Sequence, residues 1–223
     1  MKPVFSPFLL PLLAFASCQT DGNDDFGSGR GTLSLRLSRA GVPEVVSRAV
    51  DADLTLEIRK PNGSLFKSYP AGTAPSAISL EAGVVYTLRA YTPNQSTWQT
   101  ANNGRGEGCF WGETTVSVGE DETVYCVYAV PMTNYAVGLS LPPAFSQLFS
   151  AYTFTLSSGG RSVTLQDGES AYFLPTAGFT YQLRATNTDG VTNTQSEESY
   201  SDVTAGKLYQ VKYSYGGSSA VEF

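Results

Sequence analysis

Apolar and polar residues alternate with a period of two along most of the chain beyond residue 30. The alternation is clearest in residues 32–38, 53–59 and 114–118. This period is typical of β-strands that have one face on a hydrophobic core and the other face in water. Turn sequences rich in Gly, such as residues 60–63 and 158–160, separate the strands. Short strands at this spacing predict an all-β fold built as a sandwich.

The chain also contains an internal repeat. Residues 82–90 are identical to residues 177–185 at six of nine positions, with an offset of 95. The other strand segments recur in the same order: 32–38 with 134–141, 53–59 with 151–157, and 124–128 with 208–213. The repeat predicts two homologous β-sandwich domains, at residues 31–131 and 132–223. Each has about 100 residues, which is enough for a core of its own.

Arg89 and Arg184 occupy equivalent positions in the repeated segment, and both point away from the predicted core face. They fit either a solvated outer surface with structural ion pairs or a ligand site that occurs twice.

A short helix is predicted between two strands of the second domain, over residues 142–149. Proline is tolerated in the first turn of a helix. Phe145, Leu148 and Phe149 then have the spacing to share one apolar face.

The first 17 residues have the pattern of a secretory signal: one lysine, an apolar run, and small residues before Cys18. The run is too short and too interrupted by proline to span a bilayer as a helix. Residues 15–18, Phe-Ala-Ser-Cys, resemble a bacterial lipobox, in which the peptidase cuts before the cysteine and the cysteine is acylated. The resemblance implies that residues 1–17 are a lipoprotein signal peptide. It also implies that Cys18 carries the lipid and that the protein is anchored in the outer membrane.

Residues 18–30 are polar, acidic and rich in glycine, which predicts a flexible tether. An acidic cluster directly after a lipidated cysteine also resembles the surface-export signal of Bacteroidota lipoproteins, and the two interpretations are compatible. The spacing of Asp21, Asn23 and Asp25 matches the start of a calcium loop, but Phe26 stands where that loop needs glycine. We therefore predict no metal site and no cofactor.

Composition narrows the classes of function. The chain has 223 residues with 41% hydrophobic, 12% aromatic and 15% charged residues, a balance typical of an exported β-rich protein. The formal net charge of −6 argues against nucleic acid as a partner, because phosphate backbones need clustered Lys and Arg. Histidine is absent, which excludes Ser-His-Asp and Cys-His catalysis and His-ligated zinc. We predict that the protein is not an enzyme.

With Cys18 acylated, two cysteines remain, Cys109 and Cys126. In an oxidising compartment such a pair predicts a disulfide, and two separately buried thiols are the alternative. The register expected for the neighbouring hairpin places Cys126 opposite Thr115. A disulfide therefore needs the segment 105–112 to fold back.

The longest stretch without strand periodicity runs from residue 92 to residue 112. It contains Trp98, Phe110 and Trp111, and Tyr91 precedes it. A loop of this length in a compact domain is usually functional or disordered. Exposed aromatic rings beside Asn and Gln form a candidate platform for sugars. Alternatively, Trp111 caps the core and Trp98 holds the loop down.

Several motifs together resemble a known family: the lipobox, residues 31–35, the Cys126 strand running to Asn134 and Val137, and residues 144–155. They are similar to an uncharacterised lipid-anchored domain family of gut Bacteroidota, which is itself similar to fimbrillin-type adhesins and pilins. The resemblance covers residues 31–215 and implies tandem β-sandwich domains of transthyretin-like or Ig-like type. It brings no catalytic residues with it.

Two functions fit this pattern. The first is a cell-surface lipoprotein with an adhesive or structural role, including fimbria-like assembly with other surface proteins. The alternative is a glycan-binding surface lipoprotein of a polysaccharide uptake system. The exposure of Trp98 and Trp111 discriminates between them, since a sugar platform needs exposed rings.

Overall fold

The computed structural model describes residues 17–18, 29–40, 53–214 and 219–222, the first and last of these by their backbone alone. The predicted signal peptide up to residue 16 and most of the tether lie outside the described residues. The regular structure of the described part is strand, apart from one short helix, α1 (Phe145–Leu148), and one 3₁₀ turn at Trp98–Thr100. The predicted all-β fold class is therefore confirmed.

The strands fall into two consecutive sets, which we call the first half and the second half. The first half comprises β1 (Ser17–Cys18), β2 (Arg30–Ala40), β3 (Thr55–Arg59), β4 (Leu65–Tyr69), β5 (Ala77–Glu81), β6 (Tyr86–Tyr91), β7 (Trp111–Val116) and β8 (Thr123–Pro131). The second half comprises β9 (Tyr135–Ser140), β10 (Phe149–Ser158), β11 (Arg161–Leu165), β12 (Ser170–Phe173), β13 (Phe179–Asn187), β14 (Thr192–Thr194), β15 (Glu198–Tyr200), β16 (Leu208–Tyr213) and β17 (Ser219–Glu222).

Each half contains two sheets with a core between them. In the first half the sheet β1-β8-β2-β5 packs on the sheet β4-β3-β6-β7. In the second half the sheet β17-β16-β9-β12 packs on β11-β10-β13-β14, and β15 also pairs with β13. β2 pairs in parallel with β8 and antiparallel with β5. In the second half, β9 pairs in parallel with β16 and antiparallel with β12. The strand order of the second half thus repeats that of the first.

The alternating pattern places one residue in two in the core. Leu33 and Leu88 of the first half are fully buried, and so are Val137 and Leu156 of the second half. The buried apolar residues form two separate clusters, one in each half. Each half therefore has a hydrophobic core of its own. Each fully buried Leu or Val side chain stabilises the folded state by roughly 1.5–3 kcal/mol.

The predicted helix between two strands of the second half is present but has a single turn. The Phe145 amide donates to the Pro142 carbonyl at 2.8 Å, and the rings of Phe145 and Phe149 stack with their centres 4.5 Å apart. Leu148 lines the same cavity as these two rings but is 48% exposed.

β1 and β17 occupy equivalent edges in the two halves. β1 pairs antiparallel with β8, with Cys18 opposite Cys126, and β17 pairs antiparallel with β16. The predicted cleavage site lies between the two residues of β1. No helix in the described part of the chain has the length and hydropathy that a membrane span requires.

Candidate functional site

The four aromatic residues predicted as a ligand platform are separated in the structure. Trp98 is 4% exposed and Phe110 is 1% exposed, so both are buried. Trp111 is 43% exposed, and Tyr91, its register partner across β6 and β7, is half-buried. The four-ring platform is therefore not formed. Only Tyr91 and Trp111 remain together at the surface.

The loop at residues 92–110, which we call the junction loop, is closed at its base by paired backbone and side-chain groups. The Thr92 amide donates to the Phe110 carbonyl at 3.0 Å, and the Phe110 amide donates to Thr92 Oγ1 at 3.1 Å. The Gln95 side-chain amide donates to the same Phe110 carbonyl at 2.8 Å. These bonds satisfy the polar groups where the loop leaves and rejoins the sheet.

The tip of the junction loop turns through four residues with positive φ. Asn102 and Asn103 have φ of 51° and 58°, and Asn tolerates this left-handed region better than most residues. Gly106 has φ of 82°, and a Cβ atom there would lie 3.2 Å from the Trp98 ring and carbonyl. Glycine at residue 106 therefore allows the backbone to pass close over Trp98.

Arg161, at the start of β11 in the second half, is the centre of the contact between the halves. Its Nη1 donates to the Tyr172 carbonyl at 2.7 Å. Its Nη2 donates to the Gln99 carbonyl at 3.1 Å and to the Gly104 carbonyl at 2.6 Å, both in the junction loop. The planar guanidinium suits this arrangement because it presents several donors in a fixed fork.

The guanidinium of Arg161 also lies between two aromatic rings. Its central carbon is 5.4 Å from the centre of the Trp98 ring and 5.1 Å from that of Phe173. Both distances are within the range of cation–π attraction. Burial lowers the pKa of Arg161, but three carbonyl acceptors and two ring faces surround its charge. The ring of Trp98 is therefore covered by Arg161 and does not face the solvent.

Further polar contacts join the two halves beside Arg161. The fully buried Asn134 accepts from the Cys109 amide at 3.0 Å and donates to the Glu107 carbonyl at 2.9 Å. Arg105 forms an ion pair with Glu169 at 3.1 Å, and its carbonyl accepts from the Tyr172 amide at 2.8 Å. The junction loop thus binds the second half along most of its length.

The sequence did not point to Arg161 or to the role of Asn134. The three hydrogen-bond acceptors of Arg161 are backbone carbonyls. Every residue has a backbone carbonyl, so the sequence cannot indicate which ones accept from Arg161. The nearest signal was the Gly159–Gly160 turn, which predicts a hairpin but says nothing about what the next residue contacts.

A second polar cluster covers the outward face of β3, β6 and β7. Glu57 accepts from Arg59 at 2.6 and 2.9 Å and from the Tyr91 hydroxyl at 3.0 Å. Arg89 forms ion pairs with Glu113 at 2.6 Å and with Glu57 at 3.7 Å. Of the two interpretations of Arg89, the structure therefore shows the structural ion pair.

The charge of Glu57 is stabilised by this cluster. Burial opposes its ionisation, but hydrogen bonds from Arg59 and Tyr91 and the charges of Arg59 and Arg89 outweigh the burial, so its pKa is lowered. Burial and the hydrogen bond to Glu57 raise the pKa of Tyr91. Tyr91 and Trp111 therefore lie beside a fixed set of charged and hydrogen-bonding groups.

The predicted disulfide between Cys109 and Cys126 is not formed, and both residues are buried. The Cys109 carbonyl accepts from the Thr133 amide at 2.7 Å, whereas Cys126 lies seven residues before Thr133 on the extended β8 strand. At roughly 3.3 Å per residue, the two cysteines are about 20 Å apart. A disulfide needs Cα atoms within about 7 Å, so Cys109 and Cys126 lie too far apart to be joined. Burial raises the pKa of the Cys109 thiol.

The described residues contain no group of three or more His, Cys, Asp or Glu side chains that could hold a metal ion. Glu107 and Glu113 are the two carboxylates that flank Phe110 and Trp111 in the sequence, and each has a partner elsewhere in the first half. Glu107 accepts from the Asn94 amide at 2.7 Å, and Glu113 pairs with Arg89.

The chain is thus an all-β protein whose two halves are joined by a polar and aromatic junction. It belongs to the family described as Domain of unknown function (DUF4493), which it matches over residues 29–223. The resemblance to a family without an assigned function is thereby confirmed.

Several solved structures are similar to this chain. A proposed cell adhesion protein from Bacteroides eggerthii is 11% identical, with 86% of this chain and 87% of that chain covered and a TM-score of 0.45. A second, from Bacteroides thetaiotaomicron, is 13% identical, with 83% and 94% covered and a TM-score of 0.46. A fimbrial assembly protein from Parabacteroides distasonis is 10% identical, with 86% and 98% covered and a TM-score of 0.41. No curated protein matches the chain.

Proposed function

We propose that the protein is a non-catalytic cell-surface lipoprotein with an adhesive or structural role, including fimbria-like assembly. In this proposal residues 1–17 are a signal peptide, Cys18 carries the lipid anchor in the outer membrane, and residues 18–30 are the tether. Residues 31–131 and 132–223 are two homologous domains. Its partners are the membrane and another surface molecule.

The observation that carries this proposal is the junction around Arg161. The longest loop of the first half holds the second half through two carbonyl acceptors of Arg161, at Gln99 and Gly104, and through the Trp98 ring. A protein that must project a binding surface from a membrane, or carry load along a chain of subunits, benefits from such a rigid connection. The lipobox resemblance at residues 15–18 supports the anchor.

The anchor is tested by comparing wild-type protein with the Cys18→Ala variant in the native cell. We expect wild-type protein to incorporate labelled palmitate, to sediment with the outer membrane and to be cut by protease added to intact cells. The variant is expected to lose the label and the membrane attachment. Unchanged membrane attachment of the variant would contradict lipidation.

The adhesive or structural role is tested by deleting the protein and measuring attachment and aggregation of the cells. We expect deletion to reduce one of these properties and wild-type protein to restore it. The non-lipidated Cys18→Ala variant should not restore it. Cells that attach and aggregate normally without the protein, while losing growth on a polysaccharide, would favour uptake over adhesion.

One observation favours glycan binding as a second candidate. Trp111 remains 43% exposed beside Tyr91, and Glu57, Arg89 and Glu113 supply polar groups on the same face. An exposed ring flanked by fixed polar groups is the usual design of a sugar site.

This second function is tested by measuring binding of the purified protein to an array of polysaccharides. If the face is a sugar site, Trp111→Ala should abolish binding. Tyr125→Ala should preserve it, because Tyr125 is a 71% exposed aromatic residue on the other sheet of the same half. Absence of saturable binding by wild-type protein would exclude this candidate for the glycans on the array.

A further inference from the structure

A cavity of about 200 Å³ opens at the end of the second half that lies farthest from the junction. Its lining includes Pro142 after β9, Phe149 at the start of β10, Ala185 near the end of β13 and Tyr213 at the end of β16. The contacts with the junction loop lie at the opposite ends of these strands. The cavity is therefore an opening into the sandwich from its free end.

The walls of this cavity are apolar. Leu183, Ala185 and Tyr213 belong to the buried core of the second half, and the stacked rings of Phe145 and Phe149 form the wall below α1. The polar groups at the rim include two side-chain amides from β14 and the residue after it, the exposed Asn193 and the half-buried Gln195. The cavity thus combines an apolar interior with an amide rim.

The equivalent end of the first half is closed by an aromatic residue. The internal repeat aligns Leu88 and Ala90 with Leu183 and Ala185, and both first-half residues are 0% exposed. Phe110 belongs to the same core cluster, forms a bridge with Met132 and is 1% exposed. The junction loop presents this ring. In place of such a loop, β13 is connected to β14 by a short turn at residues 188–191.

The cavity is large enough to hold an aromatic ring like that of Phe110. A cavity of about 150 Å³ lined by Leu, Ile and Phe is large enough to bind benzene. The second-half cavity, at about 200 Å³, therefore has room for a phenylalanine ring. In the first half, the end that holds Phe110 is also the end on which another sandwich docks, through Arg161 and its neighbours.

We propose that this cavity receives an aromatic side chain from a partner protein. The partner presents the ring on a loop, as the junction loop presents Phe110. The exposed amide of Asn193 binds the partner's backbone at the rim. The inference rests on the cavity and the internal repeat, and it stands or falls independently of the lipid anchor and of the proposed adhesive role.

Binding is tested by NMR titration of the purified protein with N-acetyl-phenylalaninamide as the probe. We expect saturable shifts of the amide signals of Leu183 and Ala185 and no shifts of the equivalent Leu88 and Ala90. N-acetyl-alaninamide and N-acetyl-leucinamide should each bind at least about tenfold more weakly, a difference of roughly 1.4 kcal/mol. Equal binding of these probes would overturn the proposal. Benzyl alcohol binding as tightly as the capped residue would also overturn it, in favour of a site for free aromatic molecules.

A matched pair of variants tests the cavity itself. Ala185→Leu should fill the cavity, keep or raise the melting temperature and weaken binding of the capped phenylalanine at least about tenfold. Ala90→Leu, the equivalent change in the closed first half, should lower the melting temperature, because added methylenes overpack a filled core. An unfolded Ala185→Leu variant, or equal tolerance of both changes, would contradict the proposal.

Discussion

Arg161 binds three carbonyl oxygens that belong to different parts of the chain. Its guanidinium also lies between the rings of Trp98 and Phe173. Hydrogen bonds to a charged group typically contribute about 1.5–3 kcal/mol each. This one side chain therefore makes a large contribution to the polar contact between the halves.

We expect Arg161→Ala to lower the free energy of unfolding by about 2–4 kcal/mol. Arg161→Lys should lose most of the same stability, since lysine keeps the charge but lacks the forked donors and the planar stacking surface. Chemical denaturation measures both values. The control is Arg184→Ala on the exposed face of β13, which should change stability by less than about 0.5 kcal/mol. An Arg161→Ala variant as stable as the control would show that the junction contacts contribute little.

Glu57 gives the protein a predictable response to acid. Its pKa in the folded state is lowered, so the folded state favours the ionised carboxylate. The resulting stability is present above the ordinary glutamate pKa of about 4.3 and is lost as the pH falls through the lower folded value. Because the cluster is partly exposed, its contribution is about 1 kcal/mol or less.

Unfolding measured from pH 7 to pH 2 checks this expectation. Glu57→Gln should be less stable than wild type at neutral pH, and the difference should shrink below about pH 4. The exposed Glu197→Gln variant should follow the wild-type curve. A Glu57→Gln difference that stays constant through the acid range would contradict the ion-pair assignment.

At the scale of elements, the boundary between the junction loop and β7 separates two neighbouring aromatic residues. Phe110 lies in the core, and Trp111 lies on the outer face. We expect Phe110→Ala to cost about 3–5 kcal/mol of stability, a typical value for a buried Phe. Trp111→Ala should cost about 1 kcal/mol or less, since its ring is largely solvated and its main partner is Tyr91. Thermal denaturation distinguishes the two, and equal losses would mean that Trp111 is part of the core.

The sequence predicted the regular strands well because their signal is local. Leu33 and Leu88 lie in segments where burial alternates residue by residue, and that alternation is visible without knowledge of the partner strand. β15 and β17 were not predicted, because three or four residues without alternation carry no such signal. Whether such a short edge segment forms a strand depends on the neighbouring strand with which it pairs.

The sequence marks the junction loop as important but leaves two roles open for Trp98, a sugar platform and a ring that holds the loop down. In the structure the ring is buried against Arg161. Trp98 next to Asn and Gln has the same local pattern whether the ring binds a sugar or a protein group. Its actual partner, Arg161, lies 63 positions further along the chain. The prediction of a Cys109–Cys126 disulfide is wrong for a related reason. The position of Cys109 depends on its contacts with Thr133 and Asn134, which the sequence does not indicate.

At the scale of the whole molecule, we expect the junction loop to hold the two halves together as one rigid body. Residual dipolar couplings of the purified protein test this claim most directly, because each half reports its own orientation. We predict that one alignment tensor fits the amides of both halves in wild-type protein, and that Arg161→Ala requires two different tensors. Wild-type halves that require separate tensors would contradict the account.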